Sequence, residues 1–364
     1  MDRKIRVAVI GVKGLPGFGG SARANEKLLT RLAKEFDITV YALDSHAVAD
    51  NYEGVNQLIF KSKKNKKVNT IFLYIKSLFH ILFIEKFGLI HLNHGVSGFL
   101  IPFIRIKYKT ITTIRGLNYK GDDKWNSIEY FFLKFFEIVA FKLSNVTATV
   151  QKSSVFKIKK YTNKPVLYIP NGVENNYLKY KEYVSEDVIT FSAARIIHLK
   201  GLHDLLSALH ILNYKGIINV IGDLNQVDDY KNKIEELSQG LNINFLGLLR
   251  SEEDLFKELR KSRVFVFPSY SEGMSNMLLE VASLKVPIIA SDISPNRDVF
   301  GEDEVRYFKV GDVNELALGI REILSNDTLA EKYANSAYEK VTDDFGWDTI
   351  AKAYSNLYKD QATL

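Results

Sequence analysis

The first strong constraint on the fold is an apolar run, Ile5 to Ile10, followed by a glycine-rich turn, Gly11 to Gly20. Apolar residues then recur at helical spacing (Ala24, Leu28, Leu29, Leu32, Ala33), and a second apolar run covers Ile38 to Leu43. Strand, loop, helix and strand in that order open a parallel, doubly wound sheet. Runs at Leu89–Leu92, Thr110–Ile114, Thr147–Val150 and Val166–Ile169 predict further strands, with helical stretches between them. The second half repeats the alternation. Its strands are predicted at Val188–Ala193, Ile217–Gly222, Ile243–Leu246, Val264–Phe267, Val286–Ala290 and Arg306–Phe308, and its helices include Leu202–Leu212, Tyr230–Gln239 and Ser251–Lys261. A chain of 364 residues is long for one core and suits two. The expected class is therefore α/β, with two facing Rossmann-like doubly wound parallel-sheet domains and a cleft between them. The polar stretch from Asn171 to Asp187 reads as the linker.

Composition narrows the chemistry. With no cysteine, disulfides, iron–sulfur clusters, thiolate zinc sites and cysteine nucleophiles are excluded. No secretory signal is expected ahead of the Ile5 strand, which gives a cytoplasmic expectation. Charge is unevenly placed: residues 1–180 hold 29 Lys or Arg against 13 Asp or Glu, and residues 181–364 hold 20 against 30. A basic first half suits an anionic partner, whether nucleic acid, lipid headgroups or a phosphate-bearing substrate. The lysine cluster Lys61 to Lys67 precedes the apolar, aromatic stretch Ile71 to Ile84. That stretch is too short to span a bilayer and reads either as an interfacial helix on anionic headgroups or as a core helix beside a solvated loop. Tyr130–Leu143, apolar nearly all round, reads as a buried helix.

The most informative stretch is Phe267-Pro-Ser-Tyr-Ser-Glu-Gly-Met-Ser-Asn-Met-Leu-Leu-Glu280. It leaves a strand, passes a glycine-bearing turn and enters a helix, whose first N–H groups and positive dipole end can seat phosphate. If the whole span were helical, Glu272 and Glu280 would be separated by a rise of about 12 Å. One carboxylate could then hold sugar hydroxyls and the other ribose hydroxyls. Arg195 ends a predicted strand, and Lys200-Gly201 follows just before a helix. Such cations suit a diphosphate in a partly desolvated site, where Arg offers a fork and Lys a point charge. Taken singly, each of these features is equally compatible with solvated surface residues.

Together, Arg195-Ile-Ile-His-Leu-Lys200-Gly201, Gly222-Asp223 and Pro268-Ser-Tyr-Ser-Glu272-Gly273 to Glu280 resemble the donor-site motifs of glycosyltransferase family 4, retaining enzymes of the GT-B architecture. Pro170-Asn171-Gly172-Val173 is similar to the entry to that family's second domain. Gly14 to Gly20 resembles its first glycine-rich loop, and Phe345-Gly-Trp347 its closing segment. The resemblance covers nearly the whole chain. It implies an N-terminal acceptor-side domain over residues 1–170, a donor-binding domain over 171–344, and a C-terminal helix in 345–364 packed back on the first domain. It also implies that Arg195 and Lys200 grip a diphosphate, that Glu280 binds the ribose and Glu272 the transferred sugar, and that Gly273, Met274 and Ser275 offer backbone N–H groups. Gly19 and Gly20 would face the phosphates from the first domain.

The family usually carries a histidine before a glycine near the reacting sugar, and here that dipeptide is Arg115-Gly116. Arginine stays protonated and is no general base. It can bind an anionic acceptor or sugar, or orient a phosphate. His94, in His91-Leu-Asn-His94-Gly95, is the alternative polar contact, so Glu272, His94 and Arg115 are the candidates at the reacting centre. The glycine loop does not follow the G-x-G-x-x-G spacing of a dinucleotide site. No Asp-x-Asp pair is present, and Asp122-Asp123 reads as solvated, so no metal or other cofactor is expected. The implied reaction is a retaining transfer, of the hexosyltransferase kind, from a nucleoside-diphosphate sugar to an acceptor hydroxyl. Surface glycans of bacteria, such as capsule or lipopolysaccharide, on lipid-linked carriers are the expected acceptors, with an anionic membrane surface as a further partner and peripheral attachment to the inner face of the cell membrane. A nucleotide-sugar epimerase of the same architecture, which would rearrange the donor with no acceptor, is one rival; an inactive sugar-nucleotide-binding relative is another. A nucleic-acid-binding protein is the third, but no stacking platform accompanies the lysines, so no nucleic-acid partner is expected.

Overall fold

The computed structural model of the chain describes residues 4–17, 19–63, 66–117, 127–174 and 187–362. It divides into two compact units, Met1–Asn171 with Trp347–Leu364, and Gly172–Gly346.

Unit 1 begins with β1 (Arg6–Ile10), α1 (Gly20–Leu32), β2 (Asp37–Leu43), β3 (Asn51–Tyr52), β4 (Val55–Phe60), α2 (Lys66–Phe83) and β5 (Leu89–Leu92). A 3-10 turn at Gly95–Leu100 leads into α3 (Ile101–Ile104), β6 (Thr110–Ile114), α4 (Ser127–Leu143), β7 (Val146–Thr149), α5 (Lys152–Lys159) and β8 (Val166–Tyr168). The strands lie in the order β3-β4-β2-β1-β5-β6-β7-β8, and every pairing is parallel except β3 with β4. The apolar runs account for this: Val7, Ala8, Val9 and Ile10 are all fully buried, as a central strand covered on both faces requires. The order reverses beside β1, so the residues that follow β1 and β5 emerge together. A Cβ on Gly11 would lie 3.5 Å from the Asn93 backbone.

Unit 2 contains β9 (Val188–Arg195), α6 (Leu202–Ile211), β10 (Ile217–Asp223), α7 (Asp228–Leu237), β11 (Asn242–Gly247), α8 (Glu252–Arg260) and β12 (Val264–Phe267). It continues with α9 (Asn276–Ser283), β13 (Ile288–Ser291), α10 (Ser294–Arg297), β14 (Arg306–Phe308), α11 (Val313–Ser325) and α12 (Asp327–Asp344). Its sheet, β11-β10-β9-β12-β13-β14, is parallel throughout. Counted from β9, that is the doubly wound order 3-2-1-4-5-6. The Val173 N–H donates to the Phe345 carbonyl at 2.7 Å, so unit 2 is entered and left on adjacent segments.

The last helix, α13 (Trp347–Ala362), belongs to unit 1. Trp347, Ile350, Tyr354, Leu357 and Tyr358 are buried in the same cluster as Val7, Leu28 and Phe36. Side chains of this size contribute roughly 1.5–3 kcal/mol each when removed from water. Two contacts with α1 and the turn after it fix the register: Arg31 pairs with Asp348 at 2.9 Å, and Lys359 with Glu35 at 2.6 Å.

Two readings of the sequence need correction. The strand β4 is not among the predicted strands, because the polar Asn56-Gln57 pair separates Val55 from the short apolar run Leu58-Ile59-Phe60. Gln57 is nevertheless buried, and its amide is satisfied by the Leu15 N–H and by the carbonyls of Leu15 and Ala49. The helix α4 is not buried all round. Glu137, Ala140 and Phe141 face inward, whereas Ile128, Phe131, Phe132 and Phe135 are exposed. Its apolar residues outnumber the places that the sheet and its neighbouring helices can cover. In α2 the outcome is divided between the two readings: Leu73, Tyr74, Ser77 and Ile81 are buried, while Val68, Ile71, Ile75, Phe79 and Phe83 are exposed. Lys64, Asp122-Asp123 and most of the Asn171–Asp187 linker lie outside the described residues.

Candidate functional site

In unit 2 the stretch after β12 and the turn after β9 are locked together. Gly201 caps α6 at φ 71°, and a Cβ there would sit 2.0 Å from the Pro268 carbonyl oxygen, so only glycine permits this approach. The Tyr270 N–H donates to the Leu199 carbonyl at 2.9 Å, and the Tyr270 hydroxyl donates to buried Asp204 at 2.7 Å. Ser291 Oγ donates to the Ser269 carbonyl. The consequence is an ion pair: Lys200 Nζ meets Glu272 Oε1 at 2.5 Å, with the side chains 23% and 12% exposed. A pair this shielded has a stronger Coulomb term than a surface pair.

Arg195 closes β9 and is exposed, with no ion pair to any described residue. Gly222, at φ 145°, lies where a Cβ would meet the Ala193 carbonyl oxygen at 1.9 Å, which holds β10 against the end of β9. Glu272, Gly273, Met274 and Ser275 precede α9, and Ser275 is its N-cap. Helix therefore begins only at Asn276, and the helical rise assumed between the two glutamates does not apply to their first four residues. Glu280 lies within α9 and is buried. The structure thus brings Lys200 against Glu272, with Arg195 on the preceding strand end and Glu280 one helical turn into α9.

Beside this cluster is a group that the sequence did not announce. The His203 ring stacks on Tyr270 at 5.9 Å and lies tilted against His198 at 4.5 Å, and its Nδ1 lies 3.0 Å from the Tyr230 hydroxyl. Burial pushes His203 down to about 4, with Asp204 opposing. Nothing in the spacing of these residues signals the contact, which depends on the loops before α6 and α9 being joined. A cavity of about 510 Å³ in the same unit, lined by Arg260, Arg263, Lys285, Asp187 and Asp327, opens instead at the amino-terminal ends of the strands. In open parallel sheets ligands bind at the carboxyl ends, where Lys200 and Glu272 lie.

The remaining candidates are in unit 1. Gly19 is the N-cap of α1 at φ 91°, with open space where a side chain would be, and Gly20 is the first helical residue. His94 is exposed and caps the 3-10 turn, its Nδ1 accepting from the Val96 N–H at 3.4 Å. Arg115 follows β6 directly. Its Nη1 donates to Asn171 Oδ1 at 2.8 Å, and its Nη2 donates to Asn93 Oδ1 at 3.2 Å and to Asn25 Oδ1. These three asparagines were not singled out from the sequence, since each stands in a different element and only the fold gathers them. His91 is wholly buried, bonded through Nδ1 to the Tyr358 hydroxyl and through Nε2 to Thr113. Burial, helped by the Arg115 charge, pushes it down to about 3 and keeps it neutral. Among the described residues no cluster of three His, Asp or Glu is placed to hold a metal ion, and no helix is long and apolar enough to cross a membrane.

The family model for glycosyl transferases group 1 matches residues 176–340, the stretch that contains Arg195, Lys200, Glu272 and Glu280. The capsular polysaccharide biosynthesis glycosyltransferase CapM of Staphylococcus aureus is 25% identical over 295 residues, covering 73% of this chain and 75% of the relative. The 2-deoxystreptamine N-acetyl-D-glucosaminyltransferase of Niallia circulans is also 25% identical, covering 69% of each. The chain is an enzyme of the glycosyltransferase type. Among solved structures, sucrose-phosphate synthase from Thermosynechococcus elongatus superposes with a TM-score of 0.81 over 98% of this chain and 99% of its own, at 17% identity. Anabaena Alr3699/HepE, solved with UDP and glucose, gives 0.77 over 98% and 100%, at 14% identity. At these identities the likeness speaks for the fold: this glycosyltransferase has the two parallel-sheet domains of its GT-B neighbours.

Proposed function

We propose that this glycosyltransferase is a retaining, metal-independent hexosyltransferase that moves a sugar from a nucleoside-diphosphate donor to a glycan hydroxyl. The observation that carries the reading is the shielded Lys200–Glu272 pair between a strand end and the start of α9, with the Arg195 cation close by in sequence. Lys200 is paired with Glu272. A diphosphate oxygen competes for the same ammonium and, on binding, releases the Glu272 carboxylate to accept from sugar hydroxyls. Glu280 takes the ribose, and the amides of Gly273, Met274 and Ser275, at the positive end of α9, take phosphate oxygens.

Departure of the nucleoside diphosphate develops negative charge that Lys200 and Arg195 stabilise. A departing phosphate oxygen accepts the proton of the acceptor hydroxyl on the face that the leaving group vacates, so configuration is retained. The protein supplies position and charge instead of a covalent nucleophile.

The acceptor reading, a lipid-linked or surface-polysaccharide glycan, is supported by CapM and by a Campylobacter jejuni relative named as acting on a diphospho-undecaprenol-linked sugar, 27% identical over 47% of this chain. It also draws on unit 1. Ile71, Ile75, Phe79 and Phe83 are exposed at four-residue spacing along α2, and Phe131, Phe132 and Phe135 are exposed along α4. Beneath them an aromatic chain, Tyr74–Phe99–Phe136, joins the two helices. Lys107 lies over the Phe83 ring at 5.7 Å and Lys76 over Phe72 at 5.7 Å, with apolar rings and cations presented together as at a bilayer interface with anionic headgroups.

A thermal-shift series of nucleoside diphosphates and their sugars tests the donor reading. At least one should stabilise the wild-type enzyme. Lys200→Ala should remain folded, lose that stabilisation and lose turnover by about 10²–10³-fold. A wild type indifferent to the whole series, or full turnover in Lys200→Ala, would end the reading.

A further inference from the structure

Arg115 is a shielded cation with no counter-ion among the described residues. All its side-chain hydrogen bonds go to neutral amide oxygens, those of Asn25, Asn93 and Asn171. Among the described residues the other titratable groups coupled to it carry no compensating charge: His91 is neutral, and burial raises the Tyr354 and Tyr358 hydroxyls so that they stay protonated. Burial likewise lowers Arg115 from its ordinary value. The guanidinium has five N–H donors and makes three contacts. Its Nε is shielded from solvent with no acceptor, although the residue as a whole is partly exposed.

Holding an uncompensated cation in such a place is unfavourable, because burial strips water from the charged form. If its task were only to tie three asparagines together, a neutral side chain would do so without that cost. The position is also informative. Arg115 follows the carboxyl end of β6 and touches Asn93, just beyond β5, and Asn25 in α1. This is the edge at which open parallel sheets take ligands. Three carboxamides from three parts of unit 1 hold the planar fork without neutralising it.

We propose that Arg115 is an oxyanion receptor in unit 1, oriented by Asn25, Asn93 and Asn171, and that a substrate phosphate or carboxylate supplies its missing charge. The identity of the anion rests on the transfer reading above: it is the donor's diphosphate, or an acidic group on the acceptor or the transferred sugar. Arginine suits either planar or tetrahedral oxyanions through paired N–H donors, which lysine cannot reproduce.

The test is equilibrium dialysis of the full chain with labelled inorganic phosphate in an Arg195→Ala/Lys200→Ala background, where the unit 2 cations are gone. Phosphate should still bind there, and adding Arg115→Gln should weaken it at least about tenfold. Arg115→Lys, which keeps the charge and loses the fork, should fall between the two; it carries the test alone if the glutamine variant does not fold. Arg115→Gln in the otherwise unaltered chain then assigns the source. A matching loss of UDP or GDP affinity assigns the donor's diphosphate, and unchanged affinity with a raised acceptor KM assigns an acidic group elsewhere on the substrates. Phosphate binding absent from the background, or undiminished by both Arg115 substitutions, overturns the proposal. A wild-type chain that binds phosphate through Arg115 but no nucleoside diphosphate would defeat the transfer reading and leave this one standing.

Discussion

The two units treat their most significant cations in opposite ways. Unit 2 pairs Lys200 with Glu272 at 2.5 Å, so its charge is balanced from within the unit. Unit 1 surrounds Arg115 with asparagine oxygens and, among the described residues, sets no carboxylate against it. Their surfaces differ in the same sense. The exposed apolar residues of unit 2, such as Ile211, Val227, Phe245 and Leu318, are scattered, whereas unit 1 has, besides scattered ones such as Val48 and Phe156, rows of them along α2 and α4. Scattered exposure is ordinary, but continuous apolar patches mark interaction surfaces. A balanced ion pair can be exchanged for a ligand at modest cost, while an unbalanced cation and an uncovered apolar face are incomplete until something binds them.

The largest expected effect breaks the balanced side of this comparison. Gly201→Ala places a methyl against the Pro268 carbonyl at a backbone conformation that L residues avoid. Urea unfolding should show a loss of about 2–3 kcal/mol, and turnover should fall with it as Lys200 and Glu272 are pushed apart. Wild-type stability and activity would mean that the loop contact does not hold the pair together.

Next comes the acid dependence of unit 1. The folded value of His91 is depressed to about 3, so above its unfolded value of 6.5 both states are neutral and no pH dependence arises from it. As pH falls from 6.5 toward 3 only the unfolded chain takes the proton, and stability drops by about 1 kcal/mol per pH unit from this residue. Because the Arg115 charge adds to the depression that burial causes, Arg115→Gln should raise the folded value and end the decline in melting temperature at a higher pH. An unchanged lower limit would show that burial alone sets the folded value.

The smallest expected effect on stability concerns the uncovered face. Phe131→Ser and Phe135→Ser remove exposed rings and should change unfolding free energy by no more than about 0.5 kcal/mol. Flotation with anionic phospholipid vesicles should nevertheless fall several-fold. Equal flotation by wild type and variants would remove these rings from any membrane contact.

Much of the fold was legible because parallel strands buried on both faces are written as apolar runs. Leu89–Leu92, Thr110–Ile114, Val264–Phe267 and Arg306–Phe308 are observed at the predicted bounds. The pattern failed where polarity was satisfied internally, as at Gln57 in β4, and where apolarity was left unsatisfied, as at Phe131 and Phe135 in α4. In the candidate site, residue types and their order pointed to Arg195, Lys200, Glu272 and Glu280, and to a glycine-bearing turn before a helix, but the helical rise used for the Glu272–Glu280 spacing does not hold across that turn. A turn stabilised by contacts with another loop, here Tyr270 N–H to the Leu199 carbonyl, leaves no local periodicity to read.

By itself the sequence determined the alternation that makes two parallel sheets, and the glycines at 201 and 222 without which the strand ends could not approach their neighbours. These depend on local pattern and on the absence of a side chain, both visible one residue at a time. Tertiary structure alone decided that Lys200 is neutralised, that among the described residues Arg115 meets only asparagine oxygens, and that His91 stays uncharged beneath Tyr358. Charge balance and desolvation depend on which distant residues share a space, and for Arg115 those partners lie from 22 to 90 positions away.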